Sequence, residues 1–159
     1  GRDRKGNRMS IHDRLNSLGI TLPHAAAPVA SYQPVVVDGH TAFVSGQLPF
    51  VDGELVTGKL GDGVSLEKGQ QAARVCGLMI LAQLEAAGLI ERVAHFVKLG
   101  GFVACTPDFY DQPKVIDGAS DLMYEVFGDP GKHARSAVGV PALPLNAAVE
   151  VDAIVALKA

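Results

Sequence analysis

Residues 134–157 read ARSAVGVPALPLNAAVEVDAIVAL, and this stretch decides the fold. Its second half alternates. Val149, Val151, Ala153, Val155 and Leu157 fall on one side of an extended chain, and Glu150 and Asp152 fall on the other. Alternation of that length predicts a half-buried strand over Ala148–Leu157. Ala134–Val140 is small and β-branched and predicts a second strand. The prolines of Pro141–Leu145 predict the loop between them.

Working upstream, Ile116, Ala119, Leu122, Met123, Val126 and Phe127 fall at helical spacing and predict an amphipathic helix over 115–127. Before it, Thr106–Pro113 reads as a loop. His95–Cys105 reads as a strand, with Val97, Leu99 and Val103 on one face. Ser65 is an N-cap for a long helix over Leu66–Ala87 that stops at Gly88. Small residues along it, such as Ala73, Cys76 and Gly77, allow close packing on a sheet. The run Gly58–Gly63 superficially resembles a phosphate loop, lacks the G-x-x-x-x-G-K-[ST] spacing, and reads as a flexible loop.

Two Asp-Gly pairs mark hairpins. Asp38-Gly39 joins Tyr32–Val37 to Thr41–Ser45, and Asp52-Gly53 joins Phe50-Val51 to Leu55-Val56. Ser10 caps a short helix carrying Ile11, Leu15 and Leu18, and Pro23–Pro28 is a linker. Gly1–Arg8 is expected to be an upstream extension or tag remnant, leaving one domain over 9–159. Strands mixed with helices and joined partly by hairpins predict an α+β sheet with helices on one face. The other face, with its small and apolar residues, then calls for a second copy.

The 159 residues are 48% hydrophobic and 19% charged, with a formal net charge of −3. A chain of this size buries about 70% of its unfolded surface and folds without disulfide or metal. The mildly acidic balance argues against a nucleic-acid-binding surface. Apolar stretches break well before the ~18 residues of a membrane span, and no secretory pattern opens the chain. Cys76 and Cys105 belong to no metal-binding spacing and read as buried thiols of a reducing cytoplasm, with Cys105 the better candidate for a reactive one. The five histidines are scattered, so no metal is expected.

Arg135 is the odd residue. A guanidinium opening a strand of Ala, Val, Gly and Ser is costly unless paired. Its partner is either a carboxylate such as Glu150 or Asp152, or the carboxylate of a ligand held bidentately by the planar fork. Glu150 interrupts an apolar strand and serves either as a solvated face residue or as an acid that orients water. Tyr32 is either a packing residue or part of a site. Gly46, at a strand end, lets a ligand approach the backbone. Ser45 has no His-Asp relay, which argues against a serine hydrolase.

Tyr32, the run Val44-Ser45-Gly46-Gln47-Leu48-Pro49, Ala134-Arg135-Ser136, Leu143-Pro144 and Glu150 together resemble the RidA/YjgF family, also called the L-PSP endoribonuclease family. The likeness runs from about Ala27 to the end, and A-R-S-x-V-x-V-x-x-L-P followed by V-E-V-x-A is its most specific part. It implies a chorismate-mutase-like α+β fold, a mixed sheet with two helices on one face, and a homotrimer with clefts between subunits. It implies hydrolysis of reactive 2-imino or enamine acids to 2-oxo acids and ammonia, without a cofactor. Arg135 would hold the carboxylate and Glu150 would orient the water, with Tyr32, Gly46 and the backbone of Ala137 completing the site. Ala137 stands where many members carry cysteine. The 106–114 loop and the N-terminal helix are longer than in compact members and resemble a longer-loop subfamily, with Phe109 or Tyr110 as a lid. A non-catalytic metabolite binder using the same clefts is the rival reading. An endoribonuclease fits the acidic balance poorly.

Overall fold

In the computed structural model, which describes residues 9–28 and 30–159, the core is a five-stranded mixed sheet. Gly1–Arg8, with the expected extension, lies outside the described residues. The elements run α1 (Ile11–Ser17), β1 (Val35–Asp38), β2 (Thr41–Gln47), β3 (Phe50–Val51), β4 (Glu54–Leu55), β5 (Lys59–Leu60), β6 (Gly63–Val64) and α2 (Leu66–Ala86). They continue as β7 (Val93–Ala104), α3 (Gln112–Phe127), β8 (Ala134–Val140) and β9 (Val149–Leu157). The main sheet has the order β1-β2-β9-β7-β8. All neighbours are antiparallel except β7 and β8, which α3 joins as a parallel crossover.

The local chemistry explains the elements. Ser10 and Ser65 accept backbone N–H bonds from Asp13 and Lys68, so each satisfies a donor that its helix start would leave open. α2 and α3 cover one side of the sheet. Their approach needs glycine, because a Cβ on Gly118 would fall on the Gln70 carbonyl and one on Gly101 would fall 2.5 Å from Ile116 Cγ1. The buried cluster runs from Leu15 through Cys76, Leu84, Phe96, Leu99, Val103 and Ile116 to Val155 and Leu157. On β9 every odd-numbered residue from Val149 to Leu157 is buried and every even-numbered one is partly open, as the alternation requires.

Four expectations are corrected. The first strand begins at Val35, not Tyr32, because Pro34 has no N–H to give a ladder. Val97 does not share a face with Leu99. Phe96 pairs with Val155 and Lys98 with Ile154, so Val97 is the extra residue of a bulge and turns outward. The Gly58–Gly63 run is not free, since β5 and β6 pair within it and Leu60 bridges Cys105. α3 starts at Gln112, three residues before the expected 115, because Pro113 sits comfortably in a first helical turn.

Candidate functional site

Arg135 lies on β8, which is an edge of the sheet. It pairs in register with buried Leu99, so its side chain leaves on the helix-covered side. There Nη1 donates to Asp117 Oδ1 at 2.8 Å and to Ser120 Oγ at 3.2 Å, both on α3. The structural partner of this arginine is therefore Asp117, and neither Glu150 nor Asp152 reaches it. The pair is half open to solvent, and such pairs contribute at most about 1 kcal/mol. A cavity of about 360 Å³ opens beside it, lined by Arg135, Ser120, Tyr124, Lys132 and His133. Ala137, two residues on, also faces the helices and packs partly against the core.

Glu150 occupies the opposite face. It leans from β9 over β2, so that a Cβ on Gly46 would fall 2.5 Å from its Oε2. The sequence pointed to Gly46 and Glu150 separately, and the fold brings them into contact. Burial holds the Glu150 carboxyl above the usual range, and the charge of Asp152 adds to the effect. Asp152 is also raised by burial, with the Gly100 N–H and Lys98 pulling it back. The Gly100 N–H donates to Asp152 Oδ1 at 3.1 Å.

Arg135 and Glu150 do not meet within one chain. Register carries Arg135 across Leu99 to Ala153, three residues from Glu150. That separation is about 10 Å along the strand and about 10 Å across two ladders, on opposite faces. The same open face presents Val138 level with Glu150, and Val36 and Phe43 level with Ile154, all more than 40% exposed. These side chains remain in contact with solvent in the single chain.

Tyr32 is half exposed just ahead of β1. Its segment is held to β2 by Ser45, whose Oγ donates to the Gln33 carbonyl at 2.7 Å and whose N–H donates to the Pro34 carbonyl. The Ser45 hydroxyl proton is thus engaged structurally. Gln47, the last residue of Ser45-Gly46-Gln47, turns into the core and accepts from Gln83 of α2. Gln83 also donates to the Ala26 carbonyl, fixing the N-terminal strap.

Phe109 and Tyr110 line a separate cavity of about 590 Å³ at the end of β8, together with Cys105, Gln112 and Lys59. Phe109 packs partly against the core and Tyr110 stands out into solvent. Cys105 borders this space and receives a weak bond from Gln112 Nε2. Cys76 is enclosed, and burial drives its thiol pKa well up, so it is an inert core residue. No group of three or more His, Cys, Asp or Glu stands ready for a metal among the described residues. No helix among them is long and apolar enough to cross a membrane.

Residues 12–157 match the family described as "YjgF/chorismate_mutase-like, putative endoribonuclease". The chain belongs to the RidA/YjgF family. It is 51% identical over 147 residues to Protein TCP17 of Trypanosoma cruzi, covering 91% of this chain and 92% of that one. It is 34% identical over 141 residues to a 2-iminobutanoate/2-iminopropanoate deaminase of Dermatophagoides farinae, covering 87% and 95%. The crystal structure of Atu1372 from Agrobacterium tumefaciens superposes with a TM-score of 0.86 at 47% identity, covering 93% and 92%. The RidA/YjgF fold is therefore this chain's fold, and the expected α+β architecture holds.

Reading the sequence for this RidA/YjgF chain missed Asp117, Ser120 and His133. The only signal was weak: Asp117 and Ser120 stand three apart on an amphipathic helix that carries other polar residues as well. Nothing local tied them to Arg135, 15 and 18 positions away.

Proposed function

We propose that the protein hydrolyses small 2-imino acids, and their enamine tautomers, to 2-oxo acids and ammonia in clefts between copies of itself. The observation that carries this reading is Glu150, a carboxylate lying against Gly46 with its pKa raised. A binder needs the arginine but has no use for a water-orienting acid. The 34% identical deaminase supports the same chemistry.

In this reading a second copy completes the site. Arg135 stands at an edge strand and Glu150 in the middle of an open, apolar face. Two such groups converge when the edge of one copy meets the face of the next, and a closed ring of three copies repeats that contact. In that cleft Arg135 holds the substrate carboxylate, and the backbone at Gly46 and Ala137 allows close approach. Tyr32 and Phe109 border the substrate's side chain. Glu150 orients a water toward the carbon of C=N. The water oxygen bonds to that carbon, and the nitrogen takes up the displaced electron pair and a proton. The carbinolamine then expels ammonia as the C=O bond forms. The substrate is reactive already, so positioning supplies most of the effect. No metal or cofactor enters these steps.

The test is ammonia release from 2-imino acids generated in situ by a dehydratase. Glu150→Gln is expected to lower kcat by about 100-fold, and Arg135→Ala to raise KM steeply. Unchanged ammonia release with Glu150→Gln would remove Glu150 from the mechanism, and release no faster with the protein than without it would leave binding as the function.

A further inference from the structure

The contacts of Arg135 contain more than a carboxylate clamp. The guanidinium carries five N–H donors. Nη1 is engaged twice, by Asp117 Oδ1 at 2.8 Å and by Ser120 Oγ at 3.2 Å. Nε and Nη2 bond to no protein group among the described residues. No buried side-chain nitrogen or oxygen among those residues lacks a partner, so Nε and Nη2 are not sealed from solvent.

Ser120 is itself held. Its Oγ lies 2.9 Å from His133 Nε2, and His133 Nδ1 lies 2.7 Å from the Gly131 carbonyl. A carbonyl only accepts, so Nδ1 carries the hydrogen. In the neutral ring Nε2 is then an acceptor, and the Ser120 hydroxyl must donate to it. That turns a Ser120 lone pair toward Arg135. The donors therefore all run one way, from Arg135 to Ser120 to His133, with a final bond from His133 to Gly131. Gly131 is itself fixed, since a Cβ there would strike the Met123 carbonyl.

We propose that Asp117, Ser120 and His133 are positioning residues that lock the Nη1 side of Arg135, so that its Nε–Nη2 edge is presented to a single small carboxylate. This rests on the reading of Arg135 as the carboxylate clamp. It specifies which edge of the fork is offered, and it gives a role to the polar chain at the margin of the buried face of α3. A planar carboxylate meets the Nε–Nη2 edge with two parallel bonds, and a free guanidinium would lose rotational entropy to do so. Locking Nη1 in advance removes part of that loss.

The experiment measures pyruvate binding, as a stable 2-oxo acid, together with KM and kcat for imino-acid hydrolysis. Ser120→Ala, His133→Phe and Asp117→Ala are each expected to raise the pyruvate Kd and the KM roughly 3- to 10-fold, with kcat nearly kept. Ser120→Thr and Asp117→Asn retain an acceptor for Nη1 and are expected to restore binding. Ser120→Ala with His133→Phe is expected to cost no more than the larger single change, since both cut the same chain. Unchanged Kd and KM in folded Ser120→Ala and Asp117→Ala overturn the proposal, as does failure of Ser120→Thr to rescue. Arg135→Ala separates the two ideas. If it leaves pyruvate binding intact, the clamp reading falls and the positioning role falls with it. If it abolishes binding while the three neighbours have no effect, the positioning role alone falls.

Discussion

The two faces of β9 are built from alternate residues of one strand, and they differ in nearly every property. Val149, Val151, Ala153, Val155 and Leu157 lie sealed beneath the helices. Glu150, Asp152, Ile154 and Ala156 look out on a partly apolar surface with Phe43 and Val138. The covered face is complete within one chain. The open face carries carboxylates whose charge is already disfavoured by burial, beside apolar groups still in contact with water. A strand of this pattern stabilises the chain with one side, and the proposed chemistry and association belong to the other.

The difference can be tested first on stability. Leu99→Ala on the covered face, where the side chain is fully enclosed, is expected to cost about 2–5 kcal/mol in chemical denaturation. Phe43→Ala on the open face is expected to change the stability of an isolated protomer by no more than about 0.5 kcal/mol. Equal losses at the two positions would erase the contrast. Phe43→Asp is expected to keep the circular dichroism of the fold and to shift sedimentation toward single protomers. An unchanged sedimentation coefficient would show that the open face is not where copies meet.

A smaller effect concerns contact within the open face. Gly46→Ala places a methyl group against Glu150 Oε2 and is expected to lower kcat roughly 10-fold while the melting temperature changes little. Acidity gives a further handle on the same face. Glu150 and Asp152 titrate above their ordinary values in the folded chain, burial being the leading cause. The native state therefore binds protons more readily than the unfolded state. These two groups should make the protein more stable as pH falls from neutral through their folded values, and Glu150→Gln should flatten that rise.

The smallest expected effect lies away from both faces, where α1 is fastened. The His12 ring contacts Glu85 through Nε2 at 2.6 Å and Glu91 through Nδ1, and the bond to Glu85 is the main cause of its raised pKa. A raised histidine contributes fully below its unfolded value of 6.5 and loses that contribution as pH rises through its folded value. Hydrogen exchange in Ile11–Ser17 is expected to quicken over that rise, and His12→Asn to remove the pH dependence. Exchange equally pH-dependent in His12→Asn would assign the step to another group.

Much of this architecture was legible because its signals are local. Ser10 and Ser65 announced two helix starts, and β8 runs over Ala134–Val140 as its residues suggested. The bulge at Val97 was not legible, because an extra residue in a ladder leaves no mark on the alternation itself. The Gln47–Gln83 pair was hidden for another reason. Each glutamine is ordinary until a fold 36 positions wide buries them together.

The candidate site divides along the same line. The sequence by itself determined that Arg135 and Glu150 were out of place on their strands, and that Val149–Leu157 has one apolar and one polar side, because side-chain direction along a strand repeats every two residues. Only the tertiary structure decided that Arg135 faces α3 and Asp117 while Glu150 faces the open side against Gly46. The facing of one strand relative to another is set by ladder register across strands distant in the chain, and a shift of one residue would reverse it.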